Sequence, residues 1–522
     1  MALVTRAAAD GFQEPNAKAG PAKRGFFGLL GRLLYLPTNC RGIKSPSELC
    51  GRNNAQQNFD KYGPLCQYYA DDVIFCYLSI AAMPPPLAFL LCLIFVVFLL
   101  RLDHKLSREV SSYLWIPSIW ALVAFTRPLG AWFAGRAPQG TMESGSSIDR
   151  TFLIALLCLA VLLLFKRRFD WSGAIKENTW LIFLVGFMLI SISWSSMPYI
   201  SFKRWTRELI AVIMAFTVLS ERNPQQAVLT ILRRVSYICI PFSLVLIKYY
   251  PIAGIAYGRW SGTRTWIGVA TQKNGLTRLC IIAALFFAWT LIRRWQGRDI
   301  PVVKYQTSMD IVLILLAFLL LMGPNMTLTY SATSTATFSV AMLALCGLYW
   351  MKKRGSEINA NTLKAMIVII VVIGTITPFV GKLPVFDISS VLKRDATLTD
   401  RNLIWERLVP LALDRRVLGH GHGGFWTTEM RALTDANAHN GYLDVILNIG
   451  FLGLLLILAF LLSCCRKAHR AITYDFEWGV LFVCYLLMLA IFNIAESSID
   501  SLTASLPAIV MFFSVSSMKV SH

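Results

Sequence analysis

Uninterrupted apolar runs of membrane-spanning length recur along this chain of 522 residues, and no other feature constrains its fold as strongly. A helix of about 20 apolar residues crosses the hydrocarbon core of a bilayer. Because lipid offers the backbone no hydrogen-bond partners, only α-helices and closed barrels can span it. Hydrophobic residues make up 56% of the chain and charged residues 15%, which is more apolar and less charged than soluble domains are. The sequence therefore predicts an all-α, polytopic transmembrane helical bundle.

The apolar runs predict about twelve or thirteen membrane spans. The first covers 85–100, and the others lie near 112–134, 151–165, 179–196, 207–220, 228–249, 268–292, 308–322, 327–350, 363–380, 441–463, 477–495 and 499–516. Four regions follow from this pattern. They are a polar, partly disordered N-terminal region at 1–76, transmembrane helices at 77–380, one long polar loop at 381–440 and C-terminal transmembrane helices at 441–518.

The Lys and Arg residues indicate how the bundle is oriented. A net charge of +21 would suggest a nucleic-acid partner in a soluble protein, but here the basic residues cluster in short loops between spans. Clusters at 166–168, 233–234, 293–294, 352–354 and 466–467 fall largely on one side, which the positive-inside rule makes cytoplasmic. The loop at 381–440 is then extracytoplasmic, and no nucleic-acid partner is expected.

The Cys and His residues do not predict a metal site. Most of the 12 cysteines lie in apolar runs, where free thiols behave as small core residues, and no CxxC pair occurs. His420 and His422 could hold a metal, but no set of carboxylates and histidines is spaced around them. We therefore expect no metal and no cofactor.

The stretch 437–450 places a histidine and a carboxylate at the mouth of the span that begins at 441. Ionisable groups are costly in hydrocarbon, so one at a helix mouth usually faces a cavity, a partner or a reacting group. If Asn437 or Asn440 caps the helix, His439 lies at its positive end, where the neutral imidazole is favoured. A neutral histidine at a membrane surface is a candidate general base, and a simple helix cap is the alternative interpretation.

The same residues carry a resemblance to a known family. The segment is His439-Asn440-Gly441-Tyr442-Leu443, followed by Gly450 and Gly453. It resembles the signature of the O-antigen ligase and Wzy-type polymerase superfamily, and the chain from about Trp115 onward is most similar to the exopolysaccharide polymerase branch. The resemblance implies a GT-C-like helical bundle in which His439 is the catalytic residue.

Several cations lie on the predicted outer side, against the positive-inside trend, among them Lys203, Arg204, Arg264 and Lys273. A bound anion would explain them, because guanidinium groups grip phosphate oxygens bidentately and lysine adds a compact charge. Snorkelling towards lipid headgroups is the alternative. The segment 273–276, Lys-Asn-Gly-Leu, is similar to a family motif, although Thr277 stands where that motif usually ends in glycine.

The long loop supplies one further cation. Its segment 397–405 resembles the family's Thr-Leu-Thr-Gly-Arg element leading to Ile-Trp, with Asp400 in place of the glycine. The resemblance implies that Arg401 binds the diphosphate of a donor, together with the four cations named above.

A glycine-rich turn in the same loop supplies candidate substrate contacts. The turn 419–426 matches a family turn that ends in Phe-Trp, so Gly421, Phe425 and Trp426 join Asn440 as predicted substrate-loop residues. Small residues let a backbone approach a ligand closely. The two aromatic rings would either stack on sugar rings or anchor the loop in the membrane interface.

Together these residues predict a glycosyl transfer at the outer face of a membrane that the chain crosses many times. The resemblance implies that this membrane is the bacterial inner membrane. The resemblance implies a metal-independent, inverting reaction with an undecaprenyl-diphosphate-linked oligosaccharide as donor and an acceptor glycan. Membrane lipids are expected partners, and polysaccharide export and chain-length proteins are further candidates. A polymerase and a ligase would use the same residues, so both stay open. A transporter of polysaccharide or lipid-linked sugar is the alternative from another class.

Overall fold

The computed structural model of the chain describes residues 83–517 apart from 108, 134–145, 258–261, 298–303, 357–358, 381–396 and 434–436. The predicted N-terminal region at 1–76 lies outside the described residues, and so does the first part of the predicted outer loop. The boundaries of the four predicted regions therefore stay predictions.

The described residues fold mainly into α-helices. The first group is α1 (Pro85–Leu106), α2 (Trp115–Phe125), α3 (Leu129–Phe133), α4 (Ser147–Lys166), α5 (Trp171–Glu177), α6 (Thr179–Ile190), α7 (Pro198–Leu219), α8 (Pro224–Tyr249) and α9 (Pro251–Gly254). The second group is α10 (Lys273–Trp295), α11 (Gln306–Met322), α12 (Ala332–Lys353), α13 (Ala360–Val380), α14 (Thr397–Asp414), α15 (Thr428–Leu433), α16 (Gly441–Tyr474), α17 (Phe476–Phe492) and α18 (Ser505–Ser516).

Short elements connect these helices. Three 3-10 segments cover Ser112–Leu114, Ser191–Trp194 and Leu328–Ser331. Between α9 and α10, the strands β1 (Ile255–Tyr257) and β2 (Arg264–Trp266) form an antiparallel hairpin.

Seven of the described helices are long and apolar enough to cross a membrane, and an eighth span results if the bent pair at 171–194 counts as one. Four shorter apolar helices of 10–17 residues accompany them. The prediction of a polytopic helical membrane protein is therefore confirmed. The GT-C-like character of the bundle stays a prediction.

Burial separates inner helices from peripheral ones. Over their most apolar windows, α8 and α10 are 78% and 72% buried, whereas α1, α4, α12 and α13 are only 22–28% buried. The four peripheral helices thus expose apolar side chains, as helices in contact with lipid do. Among the seven long helices, α8, α10 and α16 are the most buried, and the window of α16 is 61% buried.

Some basic residues assigned to loops by the sequence analysis are buried inside helices instead. Arg233 and Arg234 of α8 both pair with Asp103 of α1, at 2.8 and 2.9 Å. Lys467 is buried in α16, where its Nζ donates to Oδ1 of Asn178 at 2.7 Å. The prediction that the basic residues cluster in short loops was wrong for Arg233, Arg234 and Lys467. A buried charge is tolerated when a partner and hydrogen bonds compensate its desolvation, and the partners here are distant in sequence.

The two last predicted spans, at 477–495 and 499–516, are shorter than expected. The helix α17 ends at Phe492 and α18 begins at Ser505, which leaves a C-terminal loop at 493–504. Asn493 shapes this loop, because its side-chain oxygen accepts hydrogen bonds from the backbone N–H groups of Ser498 and Ile499 at 2.9 Å each. The polar residues of 493–504 are therefore gathered at one end of the bundle.

Candidate active site

Asn440 closes the N-terminus of α16 and ties it to two neighbouring segments. Its Oδ1 accepts a hydrogen bond from the backbone N–H of Leu443 at 2.9 Å, which is the geometry of a helix cap. Its side-chain amide donates to the carbonyl oxygens of Gly374 and Ile494, each at 2.9 Å. Asn440 is completely buried, and these contacts fix the N-terminus of α16 to the segments that contain Gly374 and Ile494. Its role in substrate binding stays a prediction.

His439 stands immediately before this cap and has an unusual backbone. Its φ of 49° lies in the left-handed region, which residues other than glycine seldom adopt and which occurs preferentially at functional sites. Its backbone N–H donates to Oδ1 of Asn437 at 3.0 Å. The side chain is 19% exposed, so the imidazole is shielded by protein but open to a small reacting group.

A buried carboxylate, Glu496 of the C-terminal loop, joins His439 to Arg401. The Nδ1 atom of His439 lies 3.5 Å from Oε2 of Glu496, and Nη2 of Arg401 in α14 donates to Oε1 at 2.7 Å. The side chain of Asn274 in α10 also hydrogen-bonds to this carboxylate. Burial raises the pKa of Glu496, but the neighbouring His439 and the charge of Arg401 outweigh it and hold the pKa below its usual value. Glu496 is therefore ionised at neutral pH.

Lys273 lies next to Asn274 in the sequence, at the N-terminus of α10. It is the first residue of α10, directly before Asn274, which bonds to Glu496. Its Nζ lies 5.1 Å from the centre of the Tyr330 ring, a distance at which a cation is attracted by an aromatic face. The structure thus brings Lys273 to the same end of the bundle as His439.

Arg264 occupies the β-hairpin that precedes α10. It is paired in register with Tyr257, and two residues later the backbone N–H of Trp266 donates to the hydroxyl of Tyr330 at 2.8 Å. The hairpin and the N-terminus of α10 therefore share one aromatic neighbour. The convergence of Arg264 with His439 stays a prediction.

Lys203 and Arg204 lie in the first turns of α7 and have different contacts. The Nζ of Lys203 is 4.2 Å from the ring centre of Tyr199, one turn earlier in the same helix. The guanidinium of Arg204 donates to the carbonyl oxygen of Gly423, so Arg204 holds the glycine-rich turn against α7. Their binding of a diphosphate stays a prediction.

Asp500 and Arg278 are charged residues of the site that the sequence analysis missed. Burial raises the pKa of Asp500, against the opposing effects of its own backbone N–H and of Arg278, Arg431 and Arg204 nearby. Arg278 also lies within electrostatic range of Glu496. The sequence signal that could have revealed the two carboxylates is the polar stretch 493–501, Asn-Ile-Ala-Glu-Ser-Ser-Ile-Asp-Ser, between two apolar runs.

The glycine-rich turn packs tightly on the protein itself. Gly421 has a φ of 87°, and a Cβ atom there would lie 2.7 Å from the carbonyl oxygen of Ser191 and 2.7 Å from Cβ of Ser195. The backbone N–H of His422 donates to Oγ of Ser191 at 2.9 Å. The close approach that was predicted towards a ligand is, in this structure, an approach to the segment 191–195.

Phe425 and Trp426 are buried, at 5% and 4% exposure. The indole N–H of Trp426 donates to Oδ1 of Asp444 at 3.0 Å, and the hydroxyl of Ser497 donates to the other oxygen of that carboxylate. Neither predicted role, stacking on a sugar or anchoring in the membrane interface, suits rings that are enclosed by protein. Their observed role is to fix the turn to α16 and to the C-terminal loop.

Within the part of the chain that the structure describes, no three His, Cys, Asp or Glu side chains come together as metal ligands. Burial lowers the pKa of His422 to about 4, and the nearby charge of Arg204 acts in the same direction, so this imidazole is neutral at physiological pH. The metal independence of the reaction stays a prediction.

Comparison with known proteins finds a family similarity in one part of the chain. Residues 317–458 match the family model described as O-antigen ligase. This part of the chain, about a quarter of its length, is similar to O-antigen ligase. The matched O-antigen ligase region contains Arg401, the glycine-rich turn and His439. Lys273 and Glu496 lie outside it, and the fold brings Glu496 to His439. The exopolysaccharide branch stays a prediction, and comparison with curated proteins gave no match.

A break in α16 shapes this candidate site. Ile449 and Gly450 have non-helical backbones, and Gly450 has a φ of 68°. The glycine-rich turn and the residues just before it pack against this break. The N–H of His420 donates to the carbonyl oxygen of Leu447 at 3.0 Å, and the N–H of Phe451 donates to the carbonyl oxygen of Arg416 at 2.8 Å. The first turns of α16 thus form a separate, buried half-helix that carries the cap and His439.

Replacing Gly450 with alanine is expected to loosen this arrangement. The new Cβ would lie 2.1 Å from the carbonyl oxygen of Val417, in a backbone conformation that costs a non-glycine residue about 1–3 kcal/mol. The Tm of the detergent-solubilised protein should therefore fall. Gly347→Ala is the matched control, because Gly347 lies in α12 with open space around it. Equal Tm values for the two variants would contradict the proposed tight packing.

Proposed function

We propose that this protein is a membrane glycan polymerase or ligase that transfers a glycan from a polyprenyl-diphosphate-linked donor to a sugar hydroxyl, in exopolysaccharide or O-antigen biosynthesis. The observation that carries the proposal is the meeting of His439 and Arg401 at one buried carboxylate. Both residues lie within the region that matches O-antigen ligase. A base and a cation held next to each other suit a transfer in which the acceptor loses a proton and the leaving group gains negative charge.

The proposed reaction is a single displacement. The acceptor hydroxyl oxygen attacks the anomeric carbon while the bond from that carbon to the diphosphate oxygen breaks, and the bonding electron pair leaves with the polyprenyl diphosphate. His439 takes the hydroxyl proton. Arg401 stabilises the charge that develops on the leaving group, with Arg264, Lys273, Arg204 and Lys203 as further cations. Attack from the face opposite the leaving group inverts the anomeric configuration.

The proposed setting is the bacterial inner membrane, with the site on the extracytoplasmic side. Cysteines introduced at Arg407 and at Lys353 test it, because both positions are exposed at the surface of the protein. A maleimide that does not cross membranes should label position 407 in whole cells and should label position 353 only after lysis, since basic loops are retained inside. The reverse pattern would place His439 on the cytoplasmic side and overturn the proposed setting.

Gene deletion followed by glycan sizing tests the function. Loss of long chains with a surviving single repeat unit would indicate a polymerase, and full-length chains that stay on the lipid carrier would indicate a ligase. A transporter predicts a third result, in which lipid-linked glycan of normal length accumulates on the inner face of the membrane. That third result, or unchanged glycan in the deletion strain, would refute the proposal.

A further inference from the structure

Glu496, which lies next to both His439 and Arg401, is outside the region matched to O-antigen ligase. Glu496 is buried in the C-terminal loop, and its two oxygens have different partners. Oε1 accepts from Nη2 of Arg401 at 2.7 Å, and Oε2 lies 3.5 Å from Nδ1 of His439. The second distance suits an ion pair and is slightly long for a hydrogen bond. Catalytic hydrogen bonds are often long in the absence of substrate and tighten when it binds.

The backbone around Glu496 is fixed to the residues that follow His439. The N–H of Gly441 donates to the carbonyl oxygens of Asn493 and Glu496 at 2.9 and 3.1 Å. The side chain of Asn440 donates to the carbonyl of Ile494. The loop is thus held in register with the N-terminus of α16 by bonds that do not involve the Glu496 carboxylate, so changing the carboxylate should leave the fold intact.

We propose that Glu496 is a positioning residue that orients His439 and holds Arg401 at a fixed distance from it. This inference rests on the proposed function. A carboxylate that accepts the Nδ1 proton leaves the lone pair on Nε2, so one tautomer of His439 is selected for proton abstraction. When Nε2 takes the acceptor's proton, the same carboxylate stabilises the resulting imidazolium. The second oxygen keeps the leaving-group cation in place during that step.

The charges around His439 set the sign of the expected pH effect. The carboxylate of Glu496 lies 3.5 Å from its ring, Arg401 of α14 and Arg278 of α10 are cations close to that carboxylate, and Asp500 lies on the same loop. His439 can act as a base only when unprotonated, so the rate falls as the pH decreases through its titration. Removing the Glu496 charge makes protonation of His439 less favourable. The acid limb of the rate profile should then move to lower pH.

The test uses membrane vesicles prepared from the deletion strain, which retain the endogenous lipid-linked repeat unit. Full-length wild-type or variant protein is reconstituted into these vesicles. Chain extension is measured between about pH 5 and pH 9, a range that brackets the ordinary histidine titration. For Glu496→Gln we expect a rate loss on the order of tenfold to a hundredfold, as for other residues that orient a functional histidine, and an acid limb displaced to lower pH. Glu496→Asp keeps the charge on a shorter side chain and should restore part of the rate and the original limb.

Glu477→Gln is the matched control, because Glu477 is a buried carboxylate at the opposite end of α17 that pairs with Arg293 at 3.8 Å. It should leave the acid limb where it is in the wild type. A Glu496→Gln protein with the wild-type rate, or with a lower rate and an unmoved limb, would overturn the inference while the proposed function stands. If the wild-type protein itself extends no chains, the proposed function fails instead.

Discussion

Replacing His439 with alanine is expected to abolish glycan elongation while the protein still inserts into the membrane at normal abundance. The reason is that the proposed role of the imidazole is proton transfer, and the N-terminus of α16 is held by the cap at Asn440 and not by the ring of His439. If it removes the acceptor proton, its loss raises the barrier of the chemical step, and general base catalysis typically contributes about 10²- to 10⁴-fold. Glycan sizing on a gel, with immunoblotting for protein abundance, measures both quantities.

Two further variants separate chemistry from backbone strain at this position. Asparagine adopts the left-handed conformation more readily than alanine, so His439→Asn keeps the backbone φ of 49° at lower cost but still lacks the base. It should be as inactive as the alanine variant. His469→Ala, near the other end of α16, is the matched control and should retain wild-type chains. Elongation of normal length by a normally expressed His439→Asn protein would rule out His439 as the base.

Conservative exchange of the arginines is the second prediction with a large expected effect. Arg401→Lys and Arg264→Lys should each reduce polymerisation on the order of tenfold or more, if one charge-assisted hydrogen bond of about 1.5–3 kcal/mol is lost in the transition state. The lysine ammonium keeps the charge but lacks the planar fork that matches two phosphate oxygens. At position 401 it could keep the pair with Glu496, so the loss should appear in turnover more than in stability.

Arg407→Lys provides the matched control, since Arg407 is an exposed arginine on the same helix as Arg401. A snorkelling arginine tolerates this exchange because either head group reaches the lipid surface. Rates of glycan extension in membrane vesicles distinguish the two cases. Full activity of Arg401→Lys would remove Arg401 from the proposed donor site, and full activity of Arg264→Lys would do the same for Arg264 without affecting Arg401.

The fold class could be predicted from the sequence because membrane insertion leaves a local signal. Each apolar run is visible within a window of about 20 residues, and lipid permits few structures other than a helix. The helix cap at Asn440 was also predictable, because a cap depends on a residue and its neighbours within one turn. His439 and the family signature around it were found in the same local way, and the match at 317–458 supports the resemblance over that region.

Hydropathy alone did not show which apolar helices face protein and which face lipid. The helices α8 and α1 both read as spanning segments, with mean hydropathy 1.6 and 2.5 over their best windows, yet the less apolar α8 is the interior one. It carries Arg233 and Arg234, whose partner Asp103 comes from a different helix. A window of one segment does not contain the partner that makes such a charge tolerable.

The sequence by itself determined that this chain is a polytopic helical membrane protein with a histidine directly before the capped N-terminus of a spanning helix. Both features are set by neighbouring residues. The tertiary structure decided which groups surround that histidine. Glu496, Asn274 and Arg401 come from three separate elements. Only the packing of those elements brings Asn274 and Arg401 to the carboxylate of Glu496, beside that histidine. The burial of Phe425 and Trp426 was decided in the same way. Contacts between distant segments depend on the whole bundle, so no local pattern could specify them.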